Sequence, residues 1–414
     1  VKKLTVALVL WTLVAGCTFP NHRADLRIRE DIANGGPELS LNLLQSVGVP
    51  MLRGNKVDLV ENGRVFDAME AEILSARSSI HILTFIWRPS PPSTRLVEAI
   101  LSRTRQGVAC RIIYDPFGSI GFSKEVRKIL SSGGCDVRPF RPFGPGERLR
   151  ILARTHRKIV IIDGKVGVTG GFGIWWSWMG NGLSPDEWRD SNVVVRGPAV
   201  YQMQVAFAQG WQEAGGPLLP ADVFPSIAPQ GSSSAAFVAS EPRAEDTNAE
   251  RLVQLAIASA HHRLWIANSY FIPSTAICDS LIRKAEQGVD VRILAPGRYM
   301  DIAPVRAAQR STYDTLLSHG IRVWEYEISM MHAKTILVDD RLVVIGSTNM
   351  DPLSLRRNEE GALVVESPEL AADLDRSWRV DLLHSREIRW DSWKKRGLVE
   401  RFTRRLTSII GSFL

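Results

Sequence analysis

Two copies of one motif constrain this chain more than any other feature. His156 and Lys158 lead into the apolar run Ile159-Val160-Ile161-Ile162, which ends at Asp163. Later, His332 and Lys334 lead through Thr335-Ile336-Leu337-Val338 to Asp339. Such β-branched apolar runs read as buried strands, and a strand sends residues i and i+2 to one face. His and Lys of each copy therefore share a face. The Asp, at i+7, has the opposite parity and is expected to support structure rather than touch a substrate. Fourteen residues after each His stands a turn of small residues, Gly170-Gly171-Phe172-Gly173 and Gly346-Ser347-Thr348-Asn349. Turns of this kind let backbone N–H groups approach an anion. Two imidazoles, two lysines and two such turns make a symmetrical phosphate site if the halves meet face to face.

The repetition extends beyond the motif. Ala76-Arg77-Ser78-Ser79-Ile80-His81-Ile82 matches Ala260-His261-His262-Arg263-Leu264-Trp265-Ile266, each a helix end running into a strand. Gly107 to Ile113 matches Gly288 to Leu294, and Gly134 to Arg138 matches Gly320 to Trp324. With glycine at the helix ends, the order strand, helix, strand, helix, strand runs twice. This predicts an α/β fold of two homologous halves, each a largely parallel or mixed sheet flanked by helices, with one active site at their interface. The predicted helix over 64–76 carries Phe66, Met69, Ile73 and Leu74 at helical spacing.

At 414 residues the chain has room for two domains with separate cores. The halves are expected at 50–214 and 237–385, joined by a Pro-, Gly- and Ser-rich linker over 215–236. Residues 17–49, polar and containing Asn34-Gly35-Gly36-Pro37, read as a tether and lead-in, and 386–414 as a basic amphipathic segment. In that tail Val399, Phe402, Leu406, Ile409, Ile410 and Phe413 fall on one helical face among many basic residues, a pattern that suits an anionic membrane surface.

The start of the chain reads as an export signal. Lys2 and Lys3 precede the apolar run Leu4 to Ala15, too short to span a bilayer but of signal length. It ends in Leu13-Val14-Ala15-Gly16-Cys17, which resembles a bacterial lipobox with Cys17 as the lipidated residue and 1–16 as the signal peptide. An ordinary signal or a retained anchor is the alternative. The expected location is exported and membrane-anchored through Cys17, on the periplasmic face of the inner or outer membrane. A net charge of +7 favours anionic partners, lipid or nucleic acid. No CxxC pair and no His spacing suited to a metal occurs, so neither metal nor cofactor is expected. Cys110 and Cys135, near the starts of consecutive strands, either form a disulfide or remain free.

With both motifs in view, the chain resembles the phospholipase D superfamily, and the flanking residues are similar to those of bacterial cardiolipin synthases. These are Glu61-Asn62-Gly63, Tyr114-Asp115-Pro116-Phe117-Gly118, Trp188-Arg189-Asp190, Tyr270-Phe271-Ile272-Pro273, Gly346-Ser347-Thr348-Asn349-Met350-Asp351 and Asn358-Glu359-Glu360. The resemblance runs from about residue 55 to the C-terminus. One departure is the first-half turn, which has Gly173 and Trp175 where the second has Asn349 and Asp351, followed by Trp176-Ser177-Trp178. These tryptophans are expected either at a lipid interface or in the core.

The resemblance implies a phosphatidyltransferase that makes cardiolipin from phosphatidylglycerol. Lys158 and Lys334 would neutralise the phosphodiester, and one of His156 and His332 would form a phosphohistidine while the other exchanges protons with the alcohols. Either imidazole can be the nucleophile; His156 is preferred. Asp190 and Glu360, which occupy matching places in the two halves, are candidates to orient the imidazoles. Gly170, Gly171, Ser347, Asn349 and Asn358 are candidates to bind the substrate, and Asp163 and Asp339 complete the motif. The expected partners are anionic phospholipid, phosphatidylglycerol in particular, and a membrane surface, with no nucleic acid. The rival readings are hydrolysis of phospholipid to phosphatidic acid, a phosphodiesterase or nuclease, and a lipid-binding tether without catalysis.

Overall fold

The computed structural model describes residues 28–122, 124–142, 153–242 and 247–395. The signal-like stretch, Cys17 and the apolar tail face from Val399 onward lie outside the described residues. Helix α1 (Gly36–Val47) precedes β1 (Leu52–Glu61) and α2 (Arg64–Ser75). Three strands then run parallel, β2 (Ser79–Thr84), β3 (Ala109–Tyr114) and β4 (Cys135–Pro139), alternating with α3 (Pro91–Thr104) and α4 (Lys124–Ser132). The apolar motif strand β5 (Ile159–Ile162) lies antiparallel on β2, and β6 (Val166–Gly170) returns beside it. The short β7 (Trp188–Arg189), β8 (Ser191–Arg196) and α5 (Ala199–Glu213) complete the first half.

The second half follows the same plan. It opens with β9 (Ser233–Ser240), α6 (Asn248–Ala258), β10 (Arg263–Asn268), α7 (Thr275–Glu286) and β11 (Asp290–Pro296). Helices α8 (Ala303–Ser311) and α9 (Tyr313–Ser318) lead to β12 (Arg322–Tyr326), parallel to β11, and then to the short β13 (Met330–Met331). The second motif strand β14 (Lys334–Val338) lies antiparallel on β10, followed by β15 (Leu342–Gly346), α10 (Pro352–Arg356), β16 (Glu360–Glu366) and α11 (Pro368–Leu383). An edge strand, β17 (Ser385–Ile388), and a short α12 (Trp390–Trp393) end the described chain.

Each sheet is mixed, because βα crossovers impose parallel neighbours whereas the tight returns around the motif strands impose antiparallel ones. The halves share one run of strands, ordered β17-β12-β11-β10-β14-β15-β16-β9-β1-β8-β6-β5-β2-β3-β4. The join is the pairing of Leu52 with Ala235 and Asn55 with Ser233, across an irregularity in β1. Between the inner faces lie α5 and α11, whose Phe207, Trp211, Leu374 and Trp378 share a core with Ile159, Ile161, Leu337 and Ile345. Cys110 and Cys135, directly opposite in β3 and β4, form a disulfide.

Three boundaries differ from expectation. The lead-in contains α1, because Leu39, Leu43 and Val47 recur every fourth residue and bury against α6 of the second half. Ser233 and Ser234, expected in the linker, begin β9, where small residues fit between β1 and β16. Residues 386–388, expected to open the tail, pair with β12, and Trp393 is buried beside Tyr313. Among the described residues no helix is long and apolar enough to cross a membrane.

Candidate active site

Each motif histidine stands where its chain bridges to the other half. Thr155 pairs in parallel with Glu359, so that the His156 N–H donates to the Glu359 carbonyl at 2.8 Å. In the matching place Met331 pairs with Arg189, and the His332 N–H donates to the Arg189 carbonyl at 2.7 Å. One residue further on in each partner comes a carboxylate, and both lie against the imidazole of the opposite half. His156 Nδ1 is 3.0 Å from Glu360, and His332 Nδ1 is 2.9 Å from Asp190. Buried ion pairs brace both bridges, Arg157 with Glu359 at 3.2 Å and Arg189 with Asp381 at 2.7 Å. Breaking either would strand a charge in the interior.

All four charged partners are buried, and burial sets the electrostatics first. It pushes His156 down, and it pushes His332 down to about 3, aided there by the Lys334 charge. Burial alone would raise Asp190 and Glu360. The charges of and hydrogen bonds from the imidazoles outweigh it and hold both carboxyls below their ordinary range. A carboxylate that accepts Nδ1–H fixes the tautomer of each ring and turns Nε2 away from it, towards the shared cavity, where that nitrogen can act as a nucleophile or exchange a proton.

The lysines fold back over their histidines. Lys158 Nζ donates to the His156 carbonyl at 2.7 Å, and Lys334 Nζ lies 3.0 Å from both ring nitrogens of His332. Burial depresses both, Lys158 well below its usual value and Lys334 to about 8.

Asp163 and Asp339 sit at the far ends of the motif strands. Each adopts a left-handed conformation at a hairpin corner, φ 54° and 49°, which Asp tolerates better than most residues. Asp163 accepts the N–H groups of Arg77, Ser78 and Ser79, and Asp339 those of His261, His262 and Arg263. They tie each hairpin to the start of the neighbouring strand and do not reach the imidazoles.

Other candidates divide between lining and support. Asn349 and Asn358 line a cavity of about 330 Å³ with both histidines. Ser347, expected to bind substrate, instead donates to Glu360, as does Ser354, and both hydroxyls are buried. Gly171 stands where Ser347 stands in the other half, and a Cβ there would overlap the Asp190 carboxylate. A Cβ at Gly170 would overlap Asn192. These glycines make room for groups behind the site.

The tryptophan cluster is divided too. Trp178, in the place of Ser354, is buried, donates its Nε1–H to Asp190 at 2.7 Å and packs edge-on to His332. Trp175 is half-buried under Arg88, and Trp176 alone of the three is exposed. Sequence reasoning missed Trp178 as a donor; its signal was its position, seven residues after Gly171 as Ser354 is seven after Ser347. Further cavity walls come from Phe85, Phe117, Trp188, Tyr270, Asp301 and Asp351.

Two cross-oriented imidazoles and two lysines, on a fold built twice, come together in one site between the halves. Residues 69–211 and 253–381 match a family model described as cardiolipin synthase, PLD-like domain. The chain is 30% identical over 403 residues to cardiolipin synthase 1 of Bacillus anthracis, covering 95% of this chain and 79% of that one. It is 31% identical over 392 residues to cardiolipin synthase 1 of Bacillus cereus, covering 91% and 77%. In fold it is similar to the crystal structure of phosphatidylserine synthase from Haemophilus influenzae, with a TM-score of 0.66, 12% identity and coverage of 91% and 100%. The chain belongs to the cardiolipin synthase family of phospholipase D-like enzymes and is a phosphatidyltransferase.

Proposed function

We propose that the chain transfers the phosphatidyl group of one phosphatidylglycerol to a hydroxyl of a second, giving cardiolipin and glycerol through a phosphohistidine. The observation that carries this reading is that both imidazoles, each held by the other half's carboxylate, line one cavity. One imidazole attacks phosphorus and forms an N–P bond as the P–O bond to glycerol breaks, and the other imidazole gives the leaving oxygen its proton. The acceptor hydroxyl then attacks, the N–P bond breaks, and the acceptor's proton returns to the second imidazole. Lys158 and Lys334 balance charge on the phosphate oxygens. The mostly apolar walls, including Phe85, Phe117, Trp188 and Ile272, suit a lipid and limit entry of water as a rival acceptor. The signal-like start and Cys17 support anchorage of the exported protein at a periplasmic membrane face, where anionic lipid attracts its positive net charge.

The test is incubation of the protein with labelled phosphatidylglycerol vesicles, beside His156→Ala and His332→Ala, followed by separation of the lipids. Cardiolipin and glycerol, each reduced at least about 10³-fold in both variants, are expected. Phosphatidic acid as the sole product would make the chain a hydrolase.

A further inference from the structure

The catalytic groups of the two halves match, but the cavity they share does not. Asn349 and Asp351 correspond to Gly173 and Trp175, and Tyr270 to Ile86, when the two halves are laid over one another. Every carboxylate and carboxamide lining the cavity, Asn349, Asp351, Asn358 and Asp301, comes from the second half. These groups therefore lie outside the symmetrical phosphate machinery. They also oppose it, since carboxylates repel the anion that Lys158 and Lys334 attract.

Two of them have hydrogen-bonding capacity to spare. Asp351 is 6% exposed and caps α10, with Oδ1 accepting the N–H groups of Leu353 and Ser354 at 2.9 and 3.0 Å. Its Oδ2 bonds nothing among the described residues. Asn349, 5% exposed, accepts from Ser269 at 2.6 Å, and its Nδ2 donates to no described residue. At the mouth, Tyr270 donates to Asp301 at 2.8 Å. Asp351 and Asn349 both line the cavity, so these spare hydrogen-bonding positions are available to a ligand held there.

We propose that Asp351 and Asn349, with the Tyr270–Asp301 pair at the mouth, form a subsite that recognises the vicinal hydroxyls of a glycerol group. This rests on the transferase reading above. Transfer through a phosphohistidine takes two in-line displacements, so the leaving alcohol and the acceptor occupy the same place opposite the nucleophile. For phosphatidylglycerol as both donor and acceptor, the two are the same chemical group, and one polyol subsite serves both steps. Hydroxyls donate to the carboxylate and accept from the amide. An ammonium group fits less well, because Lys158 and Lys334 already crowd the region with positive charge, and burial raises Asp351 to about 7.

The full-length protein is incubated with phosphatidylglycerol vesicles in water containing equal labelled glycerol, 1-propanol and ethanolamine, and the phosphatidyl products are compared within each reaction. The unaltered enzyme is expected to favour glycerol over 1-propanol at least tenfold. Asp351→Asn, which retains a helix cap, and Asp301→Asn are each expected to lower that ratio about tenfold among the products formed. Tyr270→Phe supplies the same readout if one variant folds poorly. An unchanged ratio in the variants, or a preference of the unaltered enzyme for ethanolamine, overturns the polyol subsite while leaving transfer intact. Failure of the unaltered enzyme to form a product with any of the three alcohols while it still forms cardiolipin overturns this inference alone, and failure to form cardiolipin as well overturns the transferase reading with it.

Discussion

His156 of the first half and Glu360 of the second lie 3.0 Å apart, and His332 and Asp190 repeat the relationship in the opposite direction. Neither half alone contains an oriented imidazole. Glu360→Gln leaves shape intact but removes the charge that fixes the Nδ1–H tautomer, and kcat is expected to fall about 10²–10⁴-fold. Adding Glu360→Gln to His156→Ala is expected to cost almost nothing further, because residues acting as a unit are not additive. Single-turnover kinetics of the two single variants and the double variant check this.

Gly171 leaves the space that Asp190 fills. Gly171→Ala is expected to displace that carboxylate and the His332 ring with it, lowering kcat about 10²-fold, the scale of a misplacement near 1 Å. Ser347→Ala removes one of two serine donors to Glu360 and is expected to cost about tenfold. Steady-state rates on phosphatidylglycerol vesicles, compared with thermal midpoints, separate displacement from unfolding.

Asp163 holds backbone N–H groups rather than substrate. Asp163→Ala is expected to lower stability by about 2 kcal/mol through lost charge-assisted hydrogen bonds, with activity per folded molecule falling far less than in Lys158→Ala. Although burial would raise them, hydrogen bonds hold Asp163 and Asp339 below their ordinary value of 3.8. Their stabilisation is therefore present above about pH 4 and is lost as pH falls through the lower folded values. Urea midpoints from pH 7 to 2.5 measure both effects.

Lys334 is pushed down to about 8, burial being the main cause. Its cation is present below that pH and lost above it, so kcat/KM is expected to decline above about pH 8. Lys334→Arg retains charge throughout and is expected to be slower but to lack that alkaline limb. A pH profile of both enzymes decides.

Much of this arrangement was legible in residue types and spacing. The doubled motif, the βα repeats, and Asp190 and Glu360 at matching places all follow from local periodicity. The exchange of carboxylates between halves does not, because it depends on Thr155 meeting Glu359 and Met331 meeting Arg189 across the interface. Ser347 looked like a phosphate ligand because hydroxyls beside glycine often are; its role under Glu360 is set by the return of β16 beside β15. Helix α1 was obscured by Gly35, Gly36 and Pro37, which signal a loop but here precede or open a helix, proline at its start being well tolerated. The second-half cavity carboxylates had no sequence signal beyond Asp351, since Tyr270 and Asp301 meet only through tertiary packing.

The packing of α1 on the second half also has a consequence for synthesis. Asp31 pairs with Lys284, 253 residues later, and Asn34 with Asp339, 305 residues later. A ribosome releases residues 28–47 long before the surface that covers Leu39, Leu43 and Val47 exists. The first half thus emerges with an apolar helix unclaimed ahead of β1, and α6 of the second half, made about two hundred residues later, covers it. Formation of the second half, rather than of the first, is the event that buries this helix.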